Sequence, residues 1–279
     1  MSRANIGVSR YPGGSPSYTA DQLPSYSGGN GEIWTPANLY AGDGDWYLAT
    51  DLTTLFQDSA KTTAAAANSD PIGAWVGQMG VGPDITQATG ANKPLLFVSG
   101  GETAVGFPAT TNVWLIGTLS PAIAYTDDWS MWAVMRKVTA QSTDAHPVPR
   151  THDSTTIAST SRNRLCPVND VSETVFGRAA FRAGAVNTNS ATTSDQFVYR
   201  LSAMVTTTSG TAGYLYTGTS AAAATIGTAT AAQNGLSIGS NGTLYGGANI
   251  IAVGYIRRSL SAGDIANLSA WAVTQGAQF

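Results

Sequence analysis

The sequence predicts an all-β protein, an antiparallel β-sandwich closed by a short C-terminal helix, and three observations carry that expectation. Between residues 197 and 258 runs of strand length follow one another: FVYRLSAMV (197–205), GYLY (213–216), GLSIG (235–239) and ANIIAVGYIRR (248–258). Glycine or polar turn residues bound most of them, the pattern of antiparallel strands joined by tight connections. Composition agrees, because 31 glycines, 43% hydrophobic residues and only 11% charged residues suit many short strands rather than solvated helices or disorder. After the last strand, Ser261-Ala-Gly-Asp264 has the form of a capping box, with Asp in place of the usual Glu or Gln. Ile265, Leu268 and Ala272 then recur at helical spacing with Trp271 alongside, and Gly276 supplies a stop.

Taken in order, the chain begins with residues 1–30, where Tyr11, Tyr18 and Tyr26, with Arg3 and Arg10, stand among Gly, Pro and Ser without apolar periodicity. Two readings fit this composition: an extended arm whose tyrosines and arginines dock on a partner, or a tail. Residues 31–279 form the expected sandwich domain. Trp34, Tyr40, Trp46 and Tyr47 cluster around a tight turn at Gly42-Asp-Gly-Asp45, and Asp51 is placed to cap one or two helical turns carrying Leu52, Leu55 and Phe56. Residues 61–70 and 77–90 are loops with brief strands. Residues 95–98 and 112–117 are apolar runs suited to a sandwich interior. Residues 130–138 are the clearest central strand, with Met131, Ala133 and Met135 on one face and Trp132, Val134 and Arg136 on the other. Residues 142–168, with Pro147 and Pro149, are expected as a solvated loop, and residues 219–232 as an Ala/Thr loop. Core burial is expected for Trp132, Val134, Leu201, Leu215, Ile238, Ile251, Val253 and Ile265.

Charge and cysteine content exclude several functions. The net charge of −3 comes with no Lys/Arg run, so a surface that tracks phosphates has little to be built from, and nucleic acid is not expected as a partner. The single cysteine, Cys166, allows neither an intrachain disulfide nor a thiolate metal site within one chain. No stretch approaches the ~20 consecutive apolar residues that span a bilayer. The first residues lack the apolar core of a signal peptide, so synthesis in a cytoplasm is expected, with any exit by lysis or inside an assembly.

The strand order of residues 197–264, together with DLTTLFQDSA (51–60), PIG (71–73) and QATGANKP (87–94), resembles laminin-G-like, concanavalin A-type jelly-roll domains carried on tailed-bacteriophage virions. The resemblance covers most of residues 40–276. It implies a jelly-roll sandwich in a non-enzymatic structural protein at the virion surface, such as a capsid decoration, head-fibre or tail-associated protein. Other virion proteins would be its partners, through the N-terminal arm, and the chain would be present in many copies or as a homo-oligomer. A second implied role is recognition of a cell-surface glycan.

Catalytic chemistry is harder to find. Glycosidases on this scaffold place carboxylates on one strand as Glu-x-Asp-x-x-Glu, whereas Glu32, Glu102 and Glu173 stand in three separate contexts. His146 and His152, with Asp144 and Asp153, fit no metal-ligand or triad spacing. Asp43 and Asp45 beside Trp46, and Asp127 and Asp128 beside Trp129, offer oxygens for calcium or acceptors for sugar hydroxyls. The rest of a calcium-loop pattern is missing, and tryptophans of a sandwich belong to its core more often than to its surface. No cofactor, catalytic residue or glycan site is assigned from these motifs.

Overall fold

The structure, a computed structural model, describes residues 27–28, 32–108, 113–124, 126–138, 148–152, 162–168, 176–180, 188–189, 198–207, 212–217, 219–224, 232–240 and 247–278. The chain divides into two compact units, Met1–Trp34 and Thr35–Phe279. In the first, β1 (Ser27–Gly28) pairs antiparallel with β2 (Glu32–Ile33).

The second unit is an antiparallel sandwich of two sheets with one C-terminal helix. The first sheet runs in the order Ser220–Ala224 (β17), Ala212–Thr217 (β16), Arg200–Thr207 (β15), Ser130–Lys137 (β10), Ala248–Ile256 (β19), Glu102–Phe107 (β8) and Leu95–Ser99 (β7), with Gly44–Leu48 (β3) also paired to β19. The second runs Thr188–Asn189 (β14), Phe176–Ala180 (β13), Arg162–Val168 (β12), Val148–His152 (β11), Gln233–Ser240 (β18), Val113–Ile123 (β9), Ile85–Thr86 (β6), Ala74–Trp75 (β5) and Leu55–Phe56 (β4). All eight residues expected in the core are buried.

They are buried in two different layers. Met131, Ala133 and Met135 of β10 face the interior between the sheets, where they join Trp75, Trp129, Leu115, Met204, Leu215, Ile238 and Val253. Trp132 and Val134 face outward and are just as deeply buried, because the helix α1 (Ala262–Thr274) packs on that outer face, against β15. Trp132 meets Trp46 at 6.3 Å and Trp271 at 5.9 Å between ring centroids. The period-2 pattern of β10 is therefore apolar on both faces, as expected for a strand covered on both sides.

Helix α1 starts where the capping pattern places it. Ser261 Oγ accepts from the Asp264 amide at 3.1 Å and the Asp264 carboxylate accepts from the Ser261 amide at 2.9 Å. Gly276, at φ +93°, ends it in the left-handed region that glycine tolerates. Burial pushes the Asp264 carboxyl up, but the Ser261 amide, Arg258 and the Ser261 hydroxyl outweigh it and the net pKa lies below the ordinary value. A depressed folded pKa contributes stability above the unfolded Asp value of about 3.9 that is lost as pH falls through the lower folded value. Asp264→Asn is therefore expected to lower the thermal midpoint at neutral pH and to reduce the further fall below pH ~4. Equal acid limbs in the two proteins would contradict this. Ser261→Ala is expected to cost about 0.5–2 kcal/mol.

Several local expectations are corrected. Residues 148–152 and 162–168 are strands in the middle of the second sheet, and His152 is 1% exposed rather than solvated. Pro149 is accommodated because it lies beyond the β11–β12 ladder, which runs from Arg150↔Arg164, so only β18 pairs with the chain there. Residues 220–224 form the edge strand β17 despite four consecutive alanines, since a backbone ladder with β16 overrides weak strand propensity. Residues 95–99 lie at the edge of the first sheet, with Leu95 and Val98 partly exposed. The turns expected after Asp51 shorten to one 3-10 turn, Leu52–Thr54, because Leu55 pairs with Trp75 as the start of β4.

Candidate functional site

Side-chain alternation brings a polar and aromatic group together on the outer face of the first sheet. Arg136 of β10 lies opposite Asn249 of β19, and Asn249 lies opposite Gly106 of β8. On the same face β7 contributes Phe97, β8 contributes Glu102, and Tyr199 stands just before β15. Glycine at 106 leaves room for this group, since a Cβ there would lie 3.3 Å from Asn249 Oδ1 and 3.6 Å from Phe97 Cβ.

Glu102 is the centre of the group. Arg136 Nη2 donates to both of its carboxylate oxygens at 3.0 Å, and Arg136 Nε donates to Oε1 at 3.3 Å. Asn249 Nδ2 donates to Oε1 at 3.0 Å, and the Tyr199 hydroxyl donates to the same oxygen. Oε1 is thus crowded with donors, while among the described residues Oε2 accepts only from Arg136 Nη2 and keeps lone-pair capacity. The guanidinium lies 5.2 Å from the Tyr199 ring centroid and 5.8 Å from that of Phe97, within cation–π range of both. Both charged side chains remain partly accessible, 21% for Arg136 and 25% for Glu102.

The electrostatics keep every donor in place. Burial first, then the hydrogen bond to Glu102, push the Tyr199 phenol far above its ordinary pKa, so it stays a hydroxyl donor. Burial pulls the Arg136 guanidinium down, and Tyr199 and Glu102 more than offset this, leaving its pKa raised. The result is an oriented planar cation between two rings beside a carboxylate oxygen with a spare lone pair. Chemically, Oε2 can accept from a hydroxyl, and an aromatic face can stack on an apolar surface.

The motifs weighed from sequence lie elsewhere. Arg3, Arg10, Tyr11, Tyr18 and Tyr26 fall outside the described residues, as do His146, Asp144 and Asp153. Asp45 is wholly buried and accepts from four backbone amides, those of Trp46, Met79, Val81 and Gly82, so its oxygens face N–H donors rather than a cation. Trp46 and Trp129 are core residues, and Asp127 accepts from the Ala124 amide in a turn. Among the described residues no group of three or more His, Cys, Asp or Glu is arranged to hold a metal ion, and no helix is long and apolar enough to cross a membrane. Sequence reasoning missed the Glu102 group because its members are far apart in the chain, Glu102 and Asn249 by 147 residues. The available signal was Arg136, which with Lys137 ends an otherwise apolar central strand.

The two-sheet β-sandwich architecture is shared with solved structures. The binding domain of Paraclostridial Mosquitocidal Protein 1 superposes with a TM-score of 0.51 at 11% identity, over 72% of this chain and 50% of that one. A Trypanosoma rangeli sialidase in complex with 2,3-difluorosialic acid, a covalent intermediate, superposes with a TM-score of 0.54 at 11% identity, over 88% of this chain and 37% of that one. The chain thus spans half or less of these solved chains, and at this identity the likeness shows the fold alone. No family model and no curated protein matches the chain.

Proposed function

We propose that this chain is a non-enzymatic surface protein of a tailed-phage particle, present in multiple copies, whose sandwich recognises a glycan on the host surface. The observation that carries the glycan reading is the Glu102 group: an arginine held between Phe97 and Tyr199, with a carboxylate oxygen left to accept a sugar hydroxyl. Support of a weaker kind comes from the shared fold, which serves as the binding domain of a mosquitocidal protein and occurs in a sialidase captured with a fluorinated sialic acid. The phage setting rests on the sequence resemblance, with residues 1–30 as the attachment segment.

A glycan array probed with the full chain tests the first part. Retention on at least one glycan is expected, with a loss of at least tenfold for Phe97→Ala, whose ring forms one wall of the group. Binding to nothing on an array that includes bacterial surface polysaccharides would overturn it, and cleavage of the bound glycan would replace it with an enzyme. The second part is tested by deleting residues 1–30, which is expected to leave the sandwich folded and to abolish incorporation into particles.

A further inference from the structure

A second feature of the same sheet face bears on which glycan is bound. On β16, Leu215 pairs with Met204 and points into the interior core, so Tyr214 and Tyr216 share the outer face, about 7 Å apart along the strand. Tyr214 is 36% exposed and Tyr216 is half-buried. The register sets Ala223 beside Tyr214 and Ala221 beside Tyr216 on the edge strand β17, and both alanines are exposed. Methyl groups there add little side-chain cover to the rings. On the other side, Val205 and Ala203 of β15 lie opposite the two tyrosines and are buried.

The strip is also uncharged. Apart from the two tyrosines, the only ionisable residue in β15, β16 and β17 is Arg200. It pairs with the inward-facing Met135, and its guanidinium is engaged with the Gln278 carbonyl at 3.1 Å. Burial, and then the neighbouring Tyr214, push the Tyr216 phenol up, so its hydroxyl stays neutral at physiological pH. The Glu102 group adds no free cation, because its guanidinium is already matched by a carboxylate. Among the described residues, this face offers no unpaired positive charge to favour a sugar carboxylate over a neutral sugar.

We propose that Tyr214 and Tyr216 form a stacking subsite for the apolar faces of uncharged pyranoses, so that the bound glycan is a neutral oligosaccharide rather than a sialylated one. The proposal rests on the glycan-binding reading and goes beyond it by naming a second subsite and a ligand class. Two rings at alternate strand positions supply large, rigid stacking area at low entropic cost, and their hydroxyls supply donors and acceptors at the margin. Selectivity follows from charge, since a carboxylate would lose hydration without gaining a cation in exchange.

The test is binding of the full chain to neutral oligosaccharides of hexose and N-acetylhexosamine and to their sialylated counterparts. Neutral ligands are expected to bind and the sialylated forms to bind at least tenfold more weakly. Tyr214→Ala and Tyr216→Ala are each expected to weaken binding about tenfold, while Tyr214→Phe, which keeps the ring, loses no more than threefold. Tyr214 is exposed, so its variants keep the fold even if Tyr216→Ala is destabilised. If glycans bind and Phe97→Ala reduces binding while Tyr214→Ala does not, the subsite is overturned and the glycan reading stands. A preference for sialylated ligands overturns the ligand class. Binding to no glycan overturns both readings.

Discussion

Trp132→Ala is expected to destabilise the sandwich by about 3–5 kcal/mol. Trp132 is wholly buried, yet it does not sit between the two sheets; it is the floor on which α1 is laid. Its ring contacts Trp46 and Trp271, and its Nε1 donates to the Tyr40 hydroxyl at 3.2 Å. Across the ladder Gly254 lies directly opposite, and a Cβ there would come within 2.5 Å of Cε2 and Nε1 of the indole. Removing the indole opens a cavity that three elements line, and it takes from the buried Tyr40 hydroxyl the indole N–H it accepts. The corresponding fall in thermal midpoint is roughly 6–20 °C, with loss of helical signal preceding loss of strand signal. Gly254→Ala should reproduce part of the effect by overpacking the same spot. A loss under 1 kcal/mol for Trp132→Ala would mean that α1 is not held by this layer.

Asp45→Ala carries the second large effect, about 3–5 kcal/mol, for a different reason. The carboxylate accepts from the amides of Trp46, Met79 and Gly82 at 2.8 Å and of Val81 at 3.1 Å, so it holds the glycine-rich loop of residues 77–83 against β3. Truncation leaves these amides without an acceptor, and water reaches only those near the exposed Val81. Asp45→Asn preserves shape but turns an NH2 toward amide donors, so it should lose much of the same stability. The glycines are part of the device: a Cβ at Gly77 would lie 2.3 Å from Asp45 Oδ2, and one at Gly82 would lie 2.5 Å from Asp45 Cβ. Gly77→Ala, whose nearest Cβ contacts would all be with the Asp45 carboxylate, should therefore destabilise the native protein but cost much less in the Asp45→Ala background, a non-additivity that a double-mutant cycle measures. Hydrogen exchange should show residues 79–82 opening in Asp45→Ala while the central strands stay protected. Strict additivity, or unchanged exchange in the loop, would contradict the clamp.

The sequence by itself determined whatever rests on local pattern. Alternation in residues 130–137 and 248–256 defines two central strands, because side chains on a pleated strand point to opposite faces and an apolar residue must find cover. The capping pattern at Ser261 and Asp264 sets the start of α1, and Gly276 its end, because those signals act within one helical turn. The all-β class and the burial of Trp132, Val253 and Ile265 follow from the same short-range rules.

Only the tertiary structure decided which partner covers each face. Residues 148–152, with two prolines at their margin, pattern as loop, yet they form a strand between β12 and β18 because ladders on both sides satisfy the backbone. Asp45 patterns as a turn residue, yet it is buried, because the amides that satisfy it come from a loop 34 to 37 residues downstream. The Glu102 group has the same origin. Phe97, Glu102, Arg136, Tyr199 and Asn249 carry no shared local signature, and it is the register of β7, β8, β19, β10 and β15 that places them on one face. Local periodicity states that a side chain points to one side of its strand, but the identity of what stands beside it is set by strand order, which no short window of the chain encodes.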